Sequence, residues 1–332
     1  LVKFFLDYLI KDKEIFFDNE FDKPQSFHNH KVIKVGGVIF IFLPIFYLAI
    51  DSYYNFSPYL FKLFFSPLIL LSIGLLSDIR LLESAKIRLC LIILVTLGIV
   101  YILNYSSFSL IYLNFDHTYL KIFEIIFISF VIISIINGSN FFDGLNGLLL
   151  SNTFIVIMIF SYIDIQYNNS NYIYFLIGIN TFVFLLFLSN FPIAKLFLGD
   201  SGAYFIGCLF GVLIFKYFEI NILLAPVLIN LAIYPLTEVS FSFFRKLIQL
   251  KSPFLPDRLH LHMVIFNYVN KNINDTTKSN YITSTYIIFF LIIFYTNVII
   301  FLDNYFLQNI LSIFFILLYM TTYYVLKRLS AS

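Results

Sequence analysis

About ten apolar stretches make up most of this chain, and only short polar strings separate them. They run Val35–Ile50, Pro58–Leu76, Leu89–Leu103, Leu120–Ile136, Leu148–Ile163, Tyr172–Leu188, Ala203–Ile214, Ile222–Leu236, Tyr281–Leu302 and Leu307–Leu326. A spanning helix needs about 20 apolar residues, with a range of roughly 17 to 25, so several of these are short for a span. Of the 332 residues, 60% are hydrophobic and 12% charged. Soluble domains are roughly half apolar and a quarter charged, so this chain has too little polar surface to cover a globule. The predicted class is all-α: a polytopic integral membrane protein with about 10 transmembrane helices, forming one domain over residues 1–332. Leu1–Ile10 carries Lys3 and Asp7 and is too short and too charged for a span or a signal segment. A preceding span, the eleventh, is expected.

Charge distribution orients the chain. Of its 21 Lys and Arg, all but Lys62, Lys121 and Lys216 fall in one alternating set of inter-helix segments. By the positive-inside rule that set is cytoplasmic. Four polar strings lie in it: Ser77–Arg80, Asn137–Gly147, Lys195–Gly202 and Asp257–His262. The spans hold almost no charge at mid-depth, where transporters place their coupling residues. Cys90 and Cys208 lie inside apolar runs and read as small buried hydrophobes.

The strings have the residue types of a phosphate-and-metal site. Gly138, Gly144 and Gly147 allow sharp turns or close backbone approach. Asn140, Asp143 and Asn146 recur every three residues, so a helical turn carries them on one face. The apolar helix that follows offers N-terminal amides to an anion. Asp200 follows Gly199 at a loop-to-helix junction, where it serves either as a metal ligand or as an N-cap. Asp78 and Glu83 are the only acids in their loop. No thiol or Glu-x-x-His partner accompanies His260 and His262, which argues against zinc.

The Asn137–Gly147 string resembles the Asn-x-x-Asn-Phe-x-Asp-Gly-x-Asp-Gly-Leu motif of the polyprenyl-phosphate N-acetylhexosamine-1-phosphate transferases (glycosyltransferase family 4). That family includes enzymes that start O-antigen, enterobacterial common antigen and teichoic acid linkage synthesis, and the MraY translocases. Further strings are similar to the family's in order and spacing. They are Asp22-Lys23-Pro24 with His28 and Gly36-Gly37, Gly74–Asp78 with Lys86, Asn190–Gly202, Pro235–Glu238 with Arg245-Lys246, and Asp257–His262. The His-x-His pair favours the initiating sugar-phosphate transferases over MraY. Ser77 stands where the family has the first of two paired aspartates, Asn146 where it has a second Asp, and Met263 where a third His is common.

The resemblance implies transfer of a sugar-1-phosphate, such as GlcNAc-1-phosphate, from a UDP-sugar to undecaprenyl phosphate, with release of UMP. It implies Mg²⁺, with Mn²⁺ as a substitute, held by Asp200 and Asp78, and a catalytic set of Asp78, Asp143 and Asp200. Lys86, Lys195, Arg258, His260 and His262 are expected to bind the diphosphate or the lipid phosphate. Asn137, Asn140, Asn146 and Asn190 are expected to line the substrate side, and Phe197 to stack on uracil. Arg245 and Lys246 are expected to face lipid headgroups, and the hexose to be read by the Ser240–Asn280 segment. The bacterial inner membrane and a homodimer follow from the family alone, and no nucleic-acid partner is implied. Two other readings are a lipid-linked sugar transporter and, because of Ser77, an inactive scaffold homologue.

Overall fold

The computed structural model describes residues 17–18, 32–54, 58–104, 117–167, 172–219, 223–252 and 259–331. Asp22, Lys23, Pro24, His28, Asp257 and Arg258 lie outside the described residues, so the expectations placed on them are not addressed below.

A two-residue strand, β1 (Phe17–Asp18), pairs antiparallel with β2 (Val32–Ile33). A 3-10 segment, Gly36–Phe42, leads into α1 (Leu43–Tyr54). The helices that follow are α2 (Pro58–Phe65), α3 (Pro67–Asp78), α4 (Ala85–Leu103), α5 (His117–Phe142), α6 (Leu148–Gln166) and α7 (Ile173–Asn190). Then come α8 (Gly199–Glu219), α9 (Ala225–Leu231), α10 (Ile233–Ile248), α11 (Leu261–Ile273), α12 (Thr276–Ile300) and α13 (Tyr305–Ala331).

Among the described residues, 8 helical stretches are long and apolar enough to cross a membrane, or 9 if the bent pair α9–α10 is one span. The chain is an all-α polytopic membrane protein. Two of the expected spans differ from their sequence reading. Val35–Ile50 begins as a 3-10 turn and yields only a short apolar helix, Gly36–Ala49. Ile222–Leu236 is broken: α9 and α10 meet at 75°. Pro235 has no N–H to give to the Leu231 carbonyl one turn back, which opens the helix there. The Tyr295 hydroxyl donates to that carbonyl at 3.4 Å. Asn230 is held across the break by Gln308 (2.8 Å) and Ser312 (2.7 Å). Backbone groups freed inside a membrane must find such partners.

Helix α8 is the centre of the bundle, and nearly all of it is buried. It packs chiefly on α3 and α5. Small residues make this possible, as is usual where helices associate inside lipid. A Cβ on Gly207 would stand 2.6 Å from Ile136 Cα of α5, and one on Gly74 would stand 2.4 Å from the Ser201 nitrogen. Gly74 thus lets the last turn of α3 lie against the start of α8, where the polar strings meet.

Candidate active site

The N-terminus of α8 is built from three separated pieces of chain. The residues after β2 run alongside the approach to α8: Phe197 N–H donates to Ile33 O (2.7 Å), Gly36 N–H to Phe197 O and Gly37 N–H to Leu198 O (2.9 Å each). Gly199 has φ +77, and a Cβ there would strike Lys34 O at 2.2 Å and Asp78 Oδ2 at 2.5 Å. Only glycine fits that junction. Asp78, 2% exposed, closes it. Its Oδ1 accepts from the backbone N–H of Asp200 and its Oδ2 from that of Ser201, each at 2.9 Å. A carboxylate at a helix N-terminus satisfies orphan donors and meets the positive end of the dipole. The capping role considered for Asp200 therefore belongs to Asp78. Lys34 Nζ stands 3.9 Å from Asp78 Oδ1.

Asp200, released from capping, turns its side chain toward α3 and α4. Ser77 Oγ donates to its Oδ2 at 2.6 Å, and Arg88 Nη1 donates to the same oxygen at 2.7 Å. Arg88 also reaches Ser77 Oγ, so the three side chains form a closed triangle. The sequence reading missed Arg88 and named Lys86 instead. Lys86 is exposed on the first turn of α4.

Asp143 lies in the turn after α5, near enough to Asp78 and Asp200 for their charges to act on it. Burial first, then the negative charges of Asp200 and Asp78, push its carboxyl well above the ordinary range, with Lys34 opposing. No described residue donates a hydrogen bond to its side chain. The one-face reading of Asn140, Asp143 and Asn146 fails at its last member, because α5 ends at Phe142. Asn146 acts as a staple instead: its N–H donates to Asn280 Oδ1 and its Nδ2 to Pro192 O, both 3.0 Å.

Asn190 is likewise a staple rather than a ligand group. It is buried, its Oδ1 accepts from Gly147 N–H, and its Nδ2 donates to Leu196 O at 2.8 Å. Both ends of the amide are spent on holding the second and third strings together. Asn137 donates to Ile133 O on its own helix (2.9 Å), and Asn140 is half-buried one turn on. Lys195 is exposed and Phe197 half-buried.

The histidine string docks from the other side. His260 and His262 are buried with parallel rings, centroids 5.9 Å apart. Glu238 Oε1 lies 2.8 Å from His260 Nδ1. Phe141 packs on the His260 ring at 4.8 Å. His262 sits under Gly144, where a Cβ would stand 2.3 Å from its Nε2. Neither of its ring nitrogens has a hydrogen-bond partner among the described residues. Burial pushes it down to about 4, which makes it a neutral ring at pH 7. Arg245 and Lys246 also depart from expectation: both are buried on α10 rather than set among headgroups. Ser242 Oγ accepts from Arg245 Nη2 at 3.1 Å.

The first three polar strings thus meet around one helix end, and His260 and His262 of the fourth pack on the second string. A family model for glycosyl transferase family 4 matches residues 60–217. An undecaprenyl-phosphate alpha-N-acetylglucosaminyl 1-phosphate transferase of Thermotoga maritima is 30% identical over 253 residues, covering 75% of this chain and 74% of that one. The chain belongs to glycosyl transferase family 4. A phospho-N-acetylmuramoyl-pentapeptide-transferase of Dictyoglomus turgidum is 27% identical over 179 residues, 52% of this chain and 55% of its own. A decaprenyl-phosphate N-acetylglucosaminephosphotransferase of Mycolicibacterium smegmatis is 30% identical over 151 residues, 39% of this chain and 37% of its own. The match to the family model takes in Asp78, Asp143 and Asp200 of this family 4 transferase, and it stops before the histidine string.

Proposed function

We propose that this transferase moves an N-acetylhexosamine-1-phosphate, such as GlcNAc-1-phosphate, from a UDP-sugar to undecaprenyl phosphate. The reaction would start a lipid-linked glycan, O-antigen or cell-wall, at the cytoplasmic face of a bacterial inner membrane. The observation that carries the reading is the grouping of Asp78, Asp143 and Asp200 with Arg88 and Lys34 at the N-terminus of α8. The activities for which the relatives are named support it.

In the proposed step an oxygen of the carrier phosphate attacks the sugar-bearing phosphorus of the UDP-sugar. The bond from that phosphorus to the bridging oxygen breaks, and UMP leaves with the electron pair. A phosphate monoester has its second pKa near 6 and is largely ionised at neutral pH. The step therefore needs no strong base, and a serine at position 77 is compatible with turnover. Positioning and charge neutralisation dominate phosphoryl transfer.

The donor set fits Mg²⁺, with Mn²⁺ as a substitute. It consists of carboxylate oxygens, and Asp143 and Asp200 Oδ1 have no protein partner among the described residues. Mg²⁺ prefers one or two carboxylates, with phosphate oxygens and water completing its shell. When bound, it would neutralise the two substrate polyanions. Asp78 holds the helix end in place, Lys34 and Arg88 supply fixed positive charge, and Glu238 orients His260 beside Phe141.

The test is UMP release in membranes with undecaprenyl phosphate and UDP-GlcNAc, UDP-GalNAc, UDP-QuiNAc or UDP-FucNAc in turn. The expected result is carrier-dependent UMP release with at least one donor. Movement of a lipid-linked sugar across the bilayer with no UMP release would establish the transporter reading instead.

A further inference from the structure

We propose that Ser77 and Arg88 form an internal latch on Asp200, so that the resting site holds its own cation and binds a divalent ion weakly until substrate arrives. The inference rests on the metal reading given above. Three observations carry it. Asp200 Oδ2 accepts both from Ser77 (2.6 Å) and from Arg88 (2.7 Å), and the Arg88–Ser77 contact closes the triangle. Asp78, the neighbouring acid, is fully engaged by the Asp200 and Ser201 amides. The two acids that remain, Asp143 and Asp200, already have a fixed positive charge beside one of them.

The identity of residue 77 decides this arrangement. A serine hydroxyl is neutral and can donate to Asp200 while accepting from Arg88. An aspartate there would put a second negative charge against Asp200 Oδ2 and would accept Arg88 for itself. It would also add a hard oxygen ligand. Ser77 thus hands the guanidinium to Asp200. A positive charge a few ångströms from a divalent ion opposes its binding by well over tenfold at an effective dielectric of about 20. When a substrate phosphate enters, it offers Arg88 a doubly charged, bidentate partner. The guanidinium then leaves Asp200 Oδ2 for the phosphate, and the freed oxygen becomes available to the metal. Metal and phosphate are thereby coupled: each is bound better in the presence of the other, by linkage.

The experiment is Mn²⁺ binding followed by electron paramagnetic resonance on the detergent-purified full chain, with wild type, Ser77→Asp and Arg88→Gln compared. A thermal melt of each protein confirms the fold. Both substitutions should tighten Mn²⁺ by about tenfold or more. Adding UMP as a phosphate probe should tighten Mn²⁺ in wild type and have a much smaller effect in Arg88→Gln. Equal Mn²⁺ affinity in all three folded proteins overturns the latch and leaves the metal reading standing. If none of them binds Mn²⁺, with or without UMP, both fall.

Discussion

The Asp78 carboxylate accepts the backbone N–H of Asp200 at 2.9 Å, and through that bond a residue at the end of one helix holds the start of another. Asp78 therefore has a structural job that does not depend on any bound ion. Asp78→Ala should lower stability by about 1–3 kcal/mol, because two buried amides lose a charged acceptor. The drop in thermal midpoint should appear with or without Mg²⁺. Asp78→Asn should fall between the two, since one amide oxygen can still accept.

Asp143 makes the site pH-dependent. Its carboxyl is pushed up by burial and by two neighbouring negative charges, so at low pH it holds a proton that a bound cation must displace. Cation-dependent UMP release should lose activity on the acid side at a pH clearly above the ordinary carboxylate range. Asp143→Asn should abolish most activity, and whatever rate remains should keep only the acid limb set by ionisation of the carrier phosphate at about pH 6. The pH profile of kcat/KM measures it.

His262 works in the opposite sense. Its folded value of about 4 lies below the unfolded value of roughly 6.5. The unfolded chain then binds a proton that the folded chain refuses, so stability falls as pH drops from about 6.5 to about 4. The loss should be on the order of 3 kcal/mol at the lower end. His262→Phe should flatten this part of the curve of thermal midpoint against pH.

The Glu238–His260 contact is fully buried, and removing Glu238 takes away the carboxylate beside the His260 ring. Glu238→Ala should destabilise by about 3–5 kcal/mol. Glu238→Gln keeps the shape and an acceptor, so it should retain most of the fold. A melting series on the two variants distinguishes a lost contact from a general intolerance of change at α10.

Most spans were readable from sequence because a membrane imposes a length on every helix. What sequence could not supply was phase and partner. Lys86 and Arg88 are two residues apart on α4, which at 3.6 residues per turn puts them on nearly opposite faces. Only packing decides which faces Asp200. Asp200 reads from sequence as either a metal ligand or an N-cap because N-cap patterns are local, whereas the residue that caps α8, Asp78, comes from another helix. Asn146 and Asn190 looked like ligand groups because an amide that holds a loop and one that holds a substrate have the same side chain. The break before Ile233 lay inside an apolar run, and Pro235 was its one visible mark. The burial of Arg245 and Lys246 left no mark in the sequence.

The measurement with the most direct bearing is carrier-dependent UMP release by the purified protein, with wild type and Asp200→Asn run side by side under Mg²⁺. Asp200→Asn loses the charge of a mostly buried pair with Arg88 but keeps the shape and an oxygen that can accept from Ser77 and Arg88, a change of about 1 kcal/mol to folding. Its melting should therefore stay close to wild type while its rate falls by roughly 100-fold or more, the scale of a lost electrostatic group at a reacting centre. Undiminished UMP release by a folded Asp200→Asn protein would contradict the assignment of the α8 N-terminus as the reaction centre.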